Sequence, residues 1–134
     1  MEIQIAGTGR AYNANVVTHP FDMYYAASAA NSNNGDSAHY GIYLYAGTYT
    51  IHVLGIKGST CGILDWYLDD AQIATGQDWY NAAASLVNQT QSIASIAVTN
   101  SGYHVLRWIV NGKNGSSADY LILLTRIRFI PAAY

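Results

Sequence analysis

Charge is scarce in this chain. Of its 134 residues, 10% are Asp, Glu, Lys or Arg, against roughly a quarter in an ordinary soluble domain. Only Lys57 and Lys113 are lysines, and the four arginines form no cluster. A binder of the nucleic-acid backbone is therefore not expected, because such affinity rises with each phosphate neutralised. Cysteine occurs once, at Cys61, which excludes an internal disulfide framework and a Cys-based metal cluster. The expected role for Cys61 is that of a small buried apolar residue. Long apolar runs are missing too. The longest, from Tyr120 to Leu124, is strand-sized and far short of the ~20 residues that cross a bilayer, so no membrane partner is expected. The opening MEIQIAGTGR lacks the basic start and apolar stretch of a secretory leader. The chain is expected to be made in the cytoplasm and to leave it, if at all, by a non-secretory route.

Catalytic signatures are also missing. His19, His39, His52 and His104 have no metal-ligand spacing, and neither HExxH nor GxSxG occurs. The stretch NGKNGSS (111–117) resembles a phosphate loop only superficially. Asn114 follows Lys113, the second Gly is misplaced, and a strand rather than a helix is expected next. Of eight carboxylates, Asp69 and Asp70 suit a turn for backbone reasons. A glycoside hydrolase would need two carboxylates facing each other across a cleft, and Asp65 with Asp78 is the pair to check. No EF-hand spacing is present. No catalysis, cofactor or metal is expected.

What the chain has in abundance is β pattern and tyrosine. Hydrophobic residues make up 51% and aromatics 13%, with twelve Tyr, three Trp and two Phe. A surface this poor in charge is a solubility liability for a free monomer. Cover by identical subunits would relieve it, and Tyr suits such contacts by combining an apolar ring with a polar tip.

The segments HYGIYLYAG (39–47), GTYTIHVLGI (47–56), GILDWYL (62–68), AQIAT (71–75), QSIASIAV (91–98), YHVLRWIV (103–110) and DYLILLTRIRFI (119–130) read as strands. Asp69-Asp70 is placed as a two-residue hairpin turn and TNSG (99–102) as another turn. NSNNGDS (31–37) reads as a loop. Earlier, IQIAG and NVVTH suit short strands, and DMYYAASAANS suits a short helix or a strand. About eight antiparallel strands with turns every ten residues or so spell a single all-β jelly-roll β-sandwich, residues 38–134. Residues 1–37 form an irregular N-terminal segment that anchors the domain or lends it strands.

In SGYHVLRWIVNGKN (101–114), both faces of the strand are mainly apolar, so it is expected to be central and covered on both sides. His104 is then a hydrogen-bonded structural residue, and Arg107 needs a neutralising partner in this chain or a neighbouring subunit. Arg126 and Arg128 are expected to share a face with Ile122 and Leu124, so that all three arginines sit at the rim of a subunit contact. Trp66 and Trp108 are assigned to the core. Trp79-Tyr80, in a loop-like stretch, is the candidate for an exposed protein or sugar contact.

The phrases AGTYTIHVLG, GILDWYLDD, GQDWYNAA and SGYHVLRWIVNGKNGSSADYLILLTRIRFIPA resemble a jelly-roll domain of tailed-bacteriophage virion proteins: capsid decoration, head-fibre and some tail-fibre-tip proteins. The resemblance spans roughly residues 38 to 134. It implies a fold of the tumour-necrosis-factor/C1q type, a homotrimer and a partner in the major capsid protein. It carries no catalytic or binding residues. The expectation is a structural protein that decorates the phage capsid in the virion, held by its N-terminal segment. The first alternative is a fibre tip that binds a receptor or host-surface glycan. The second is a carbohydrate-binding module, whose strand-and-turn grammar this chain also resembles.

Overall fold

A computed structural model of the chain describes residues 33–83 and 86–132, and the backbone of the short segments 3–6, 11–13, 22–24 and 26–28. Among the described residues every regular element is a strand: β1 (Ile3–Ala6), β2 (Ala11–Asn13), β3 (Asp22–Tyr24), β4 (Ala26–Ser28), β5 (Ser37–Leu44), β6 (Gly47–Lys57), β7 (Gly62–Leu68), β8 (Ala71–Asp78), β9 (Leu86–Val98), β10 (Gly102–Lys113) and β11 (Leu124–Pro131). They build a five-stranded sheet ordered β1-β5-β10-β7-β8 and a four-stranded sheet ordered β3-β11-β6-β9, with β2 and β4 as a separate pair. All these pairings are antiparallel. The result is the expected all-β jelly-roll sandwich. The first third contributes β1 to one sheet and β3 to the other. DMYYAASAANS resolves into the strands β3 and β4, whereas NVVTH lies outside the described residues.

Alternation places the core. Tyr40, Leu64, Trp66, Leu106, Trp108 and Val110 point inward from the larger sheet, against Ile51, Val53, Ile127 and Phe129 of the smaller one, all at most 1% exposed. Burying each such side chain favours folding by ~1.5–3 kcal/mol. The Asp69-Asp70 hairpin forms as expected: φ is +48° and +64°, the two left-handed residues that let a two-residue turn match strand twist. Gly55 is fixed by packing. A Cβ there would lie 2.6 Å from the Leu123 carbonyl oxygen and 3.1 Å from the Trp79 ring.

Two expectations fail for local reasons. Strand β10 is central, between β5 and β7, but it is covered on one side only. Its Tyr103 is 83% exposed and Val105 46%, so the outer face is open to solvent at this end of the strand. Arg126 and Arg128 do share a face, but not with Ile122 and Leu124, which are buried. The register against β6 slips between Leu124 and Arg126. This bulge flips the phase, so Leu124 joins Ile127 and Phe129 inside while the arginines turn outward.

The strands β8 and β9 are each one edge of their sheets, with β1 and β3 at the opposite edges, and they approach each other along one side of the sandwich. Neither carries a lysine, the usual guard of a free edge. Each instead carries a bulge with a left-handed residue, Gly76 (φ +69°) in β8 and Ser95 (φ +58°) in β9. Bulges twist an edge away from further pairing.

Candidate functional site: an exposed tyrosine face

The outer face of the larger sheet carries its exposed aromatics at one end. Tyr43 of β5 and Tyr103 of β10 are directly paired across the strands, with ring centroids 5.3 Å apart and the rings perpendicular. Tyr45, two residues beyond Tyr43, adds a second edge-to-face contact at 5.4 Å. The three rings are 47%, 63% and 83% exposed in chain order, and Val105 continues the patch. Three mutually supporting rings in solvent are an unusual use of large apolar surface, which folding by itself would bury.

The backbone under these rings is tied down. The Tyr49 hydroxyl donates to the Tyr45 carbonyl at 2.6 Å, and the Ala46 N–H donates to the Ser101 hydroxyl at 2.8 Å. Next to Tyr103, the Val105 N–H donates to Asp69 Oδ1 at 2.8 Å. His104 Nδ1 meets Asp69 Oδ2 at 2.5 Å and its Nε2 meets the Asn100 carbonyl at 2.8 Å. Both of those partners are acceptors, an arrangement that favours the protonated ring. The hydrogen bond to Asp69 is the main cause that holds the His104 pKa above its ordinary value, against a smaller opposing effect of burial. For Asp69, burial raises the pKa, but the bonds from His104 and the Val105 N–H outweigh it and hold the carboxyl below its ordinary value. Three turns at one end of the sandwich are thus cross-linked around the tyrosines, which presents a pre-organised surface.

Further along the same face, the Arg107 guanidinium lies 4.4 Å over the Tyr67 ring and 3.9 Å from Asp70. Its Nε is buried without a hydrogen bond. Within its own chain Arg107 thus meets one aromatic face and one carboxylate. Beyond it, Asp65 accepts from the Thr75 hydroxyl at 2.8 Å, the Gly76 N–H at 2.9 Å and Asn111 Nδ2 at 2.6 Å. Burial pushes its pKa up, but these three donors outweigh that and leave it below the ordinary value. Asp78 accepts from the Tyr80 N–H and Asn114 Nδ2. Each carboxylate of the suspected Asp65–Asp78 pair is thus committed to its own donors.

The expected contact residues scatter. Trp79 is 1% exposed and donates its Nε1–H to Gln77 Oε1 at 3.0 Å, so it is a core residue and not an exposed contact. Tyr80 is half-buried and its backbone bridges to Gly58. Arg107 lies on the outer face of one sheet, and Arg126 and Arg128 on the opposite outer face of the sandwich, so the three share no rim. The tyrosines that do form a patch were not singled out from sequence. The signal for them was present: Tyr43 and Tyr45 alternate out of phase with the core residues Tyr40 and Leu44, as Tyr103 does with Leu106 and Trp108.

No family model and no curated protein matches the chain. Solved structures do. A xanthan lyase from Paenibacillus superposes with a TM-score of 0.74 at 18% identity, over 96% of this chain and 12% of the lyase. The CBM36-1 domain of a multidomain xylanase from the hindgut metagenome of Trinervitermes trinervoides gives 0.66 at 16% identity, over 98% and 93% of the two chains. A carbohydrate-binding module of family 36, solved with calcium and xylotriose, gives 0.59 at 17%, over 95% and 92%. The chain thus spans about an eighth of the lyase but nearly all of each module. At these identities the likeness establishes the fold: a jelly roll of the kind seen in carbohydrate-binding modules.

Proposed function

We propose that this chain is a non-catalytic carbohydrate-binding module whose contact surface is the Tyr43–Tyr45–Tyr103 face. The carrying observation is three exposed, edge-to-face rings on a cross-linked backbone, in a fold shared with modules such as the xylotriose-bound one. Tyr rings offer flat apolar faces to the C–H faces of pyranose rings, while their hydroxyls reach sugar hydroxyls. That neighbour also holds calcium, and the described residues here do not fit such an ion. They include no group of three His, Cys, Asp or Glu positioned for a metal, and Asp65, Asp69 and Asp78 are each taken up by donors.

The reading is tested by affinity electrophoresis against soluble xylan, mannan, xanthan and a soluble cellulose derivative. Retardation by at least one is expected. Tyr43→Ala or Tyr103→Ala should weaken it about two- to twelvefold, the loss of ~0.5–1.5 kcal/mol for an aromatic contact. No retardation by any polymer, or tyrosine variants that bind like the parent, would overturn the proposal. A second reading is favoured by the same patch together with the 10% charge content: a subunit contact in a homotrimeric decoration protein bound to a capsid. A trimer mass in light scattering that reverts to monomer with Tyr103→Ala would favour it over sugar binding.

A further inference from the structure

A cleft of about 490 Å³ lies between the free edges of β8 and β9, two strands across the sheet from the β10 tyrosine. Its volume falls within the ~300–1,000 Å³ of small-ligand sites. Leu68, Ile96 and Val98 lie beneath it in the core, each at most 7% exposed, and the apolar surface it presents comes from Ala71, Ile73, Ala94 and Ala97. Gln72, Ser95 and Thr99 also line it and are exposed, adding an amide and two hydroxyls. The only charged residues in its wall are His104 and Asp69, which are bonded to each other. A net cation or anion therefore finds no unmatched counter-charge here.

Ser95 adds a separate observation. It is the one residue among the described non-glycines outside the hairpin turn with a left-handed backbone. It occupies the β9 bulge, where Ile93 and Ile96 pair with Ile51 and Tyr49. Strained residues and edge bulges recur at ligand sites, where they re-aim a side chain. The bulge sets Ser95 in the wall of the cleft.

We infer that this cleft is a second saccharide site, separate from the tyrosine face, that takes a short neutral oligosaccharide segment. The inference rests on the carbohydrate-binding reading above. A pyranose is itself amphipathic: its C–H face packs on the accessible apolar liners Ile73 and Ala97, and its hydroxyls exchange hydrogen bonds with Gln72, Ser95 and Thr99. The neutralised His104–Asp69 pair closes the end and disfavours a uronic-acid chain, whose carboxylate would meet no free cation.

The test is a titration of ¹⁵N-labelled protein with xylohexaose, mannohexaose and cellohexaose, each followed by amide shifts, with trigalacturonic acid as the anionic probe. At least one neutral sugar should shift two sets of amides, residues 71–73 with 94–99 at the cleft and residues 43–45 with 103 at the tyrosine face. Ala97→Arg, which lays a long side chain across the cleft from an exposed position, should weaken the first set at least tenfold and leave the second unchanged. Gln72→Ala should weaken the first set several-fold, and Tyr103→Ala should do the reverse. Shifts confined to the tyrosine face and indifferent to Ala97→Arg overturn the second site but leave the module reading standing. Tighter cleft binding by trigalacturonic acid overturns its neutral specificity. No shifts with any sugar overturn both.

Discussion

The two faces of the larger sheet use aromatic residues in opposite ways. On the inner face Trp66 and Trp108 are buried, and Trp79 joins them from the end of β8. Each indole N–H finds an internal acceptor: Trp66 and Trp79 share Gln77 Oε1 at 2.9 and 3.0 Å, and Trp108 donates to the Tyr40 hydroxyl at 2.7 Å. On the outer face Tyr43, Tyr45 and Tyr103 have rings that touch each other and solvent. The inner aromatics hold the fold, since an unsatisfied buried donor would cost more than its bond contributes. The outer ones are expected to cost little to remove, and in the proposed reading they serve as the contact surface.

The sharpest way to break this contrast is a matched pair of truncations. Trp108→Ala should destabilise by ~3–5 kcal/mol through the cavity it leaves, while Tyr103→Ala should stay within ~0.5 kcal/mol as a surface change. Chemical denaturation of both proteins measures the difference, and equal losses would mean the outer face is part of the core after all. The next effect probes the shared acceptor. Gln77→Leu keeps similar bulk but strands two indole N–H groups, and ~1–3 kcal/mol for each buried donor left unpaired predicts a loss of about 2–6 kcal/mol. A neutral result would show that the indoles find other acceptors. Smaller again is Gly55→Ala. Its methyl would press on the Leu123 carbonyl and the Trp79 ring, and overpacking of this kind costs ~1–3 kcal/mol. The unfolding midpoint should fall with no change in sugar binding, because Gly55 touches only the inner side of the comparison.

These contrasts also show what could be read from the sequence. Alternation gave β6 and β7 nearly residue by residue and the middle of β10, which runs on through Asn111–Lys113 where a loop was expected, and the Asp-Asp turn came from its side-chain chemistry. The phase of β11 was not legible, because a bulge between Leu124 and Arg126 is a tertiary adjustment that no local pattern announces. It placed the arginines on the wrong partners. Trp79 was misplaced for a related reason. A loop-like sequence, GQDWYN, folds back so that Gln77 and Trp79 both turn inward around one hydrogen-bond acceptor. The tyrosine face was half-legible. Alternation separated Tyr43, Tyr45 and Tyr103 from the core side, but whether anything covered that side depended on the topology. The cleft was beyond reach, since it exists only where two sheet edges meet.

The smallest expected effect concerns the pair that joins the two sides of the contrast, His104 on the inner phase of β10 beside the exposed Tyr103. The His104 pKa is raised in the folded protein, so its contribution is fully present below the ordinary value of 6.5 and is lost as pH rises through the higher folded value. The Asp69 pKa is lowered, so its contribution is present above the ordinary value of 3.8 and is lost as pH falls through the lower folded value. The clamp is therefore whole between pH 3.8 and 6.5 and weakens on both sides. Half of the Asp69 side chain is exposed, and solvent screening limits such a pair to ~0–1 kcal/mol. His104→Gln should flatten the decline in stability from pH 6 to pH 9, measured by denaturant midpoints across that range. If the parent shows no such decline, or the variant keeps it, the clamp does not hold the turns. The tyrosine platform would then owe its order to the Tyr49–Tyr45 and Ser101–Ala46 hydrogen bonds.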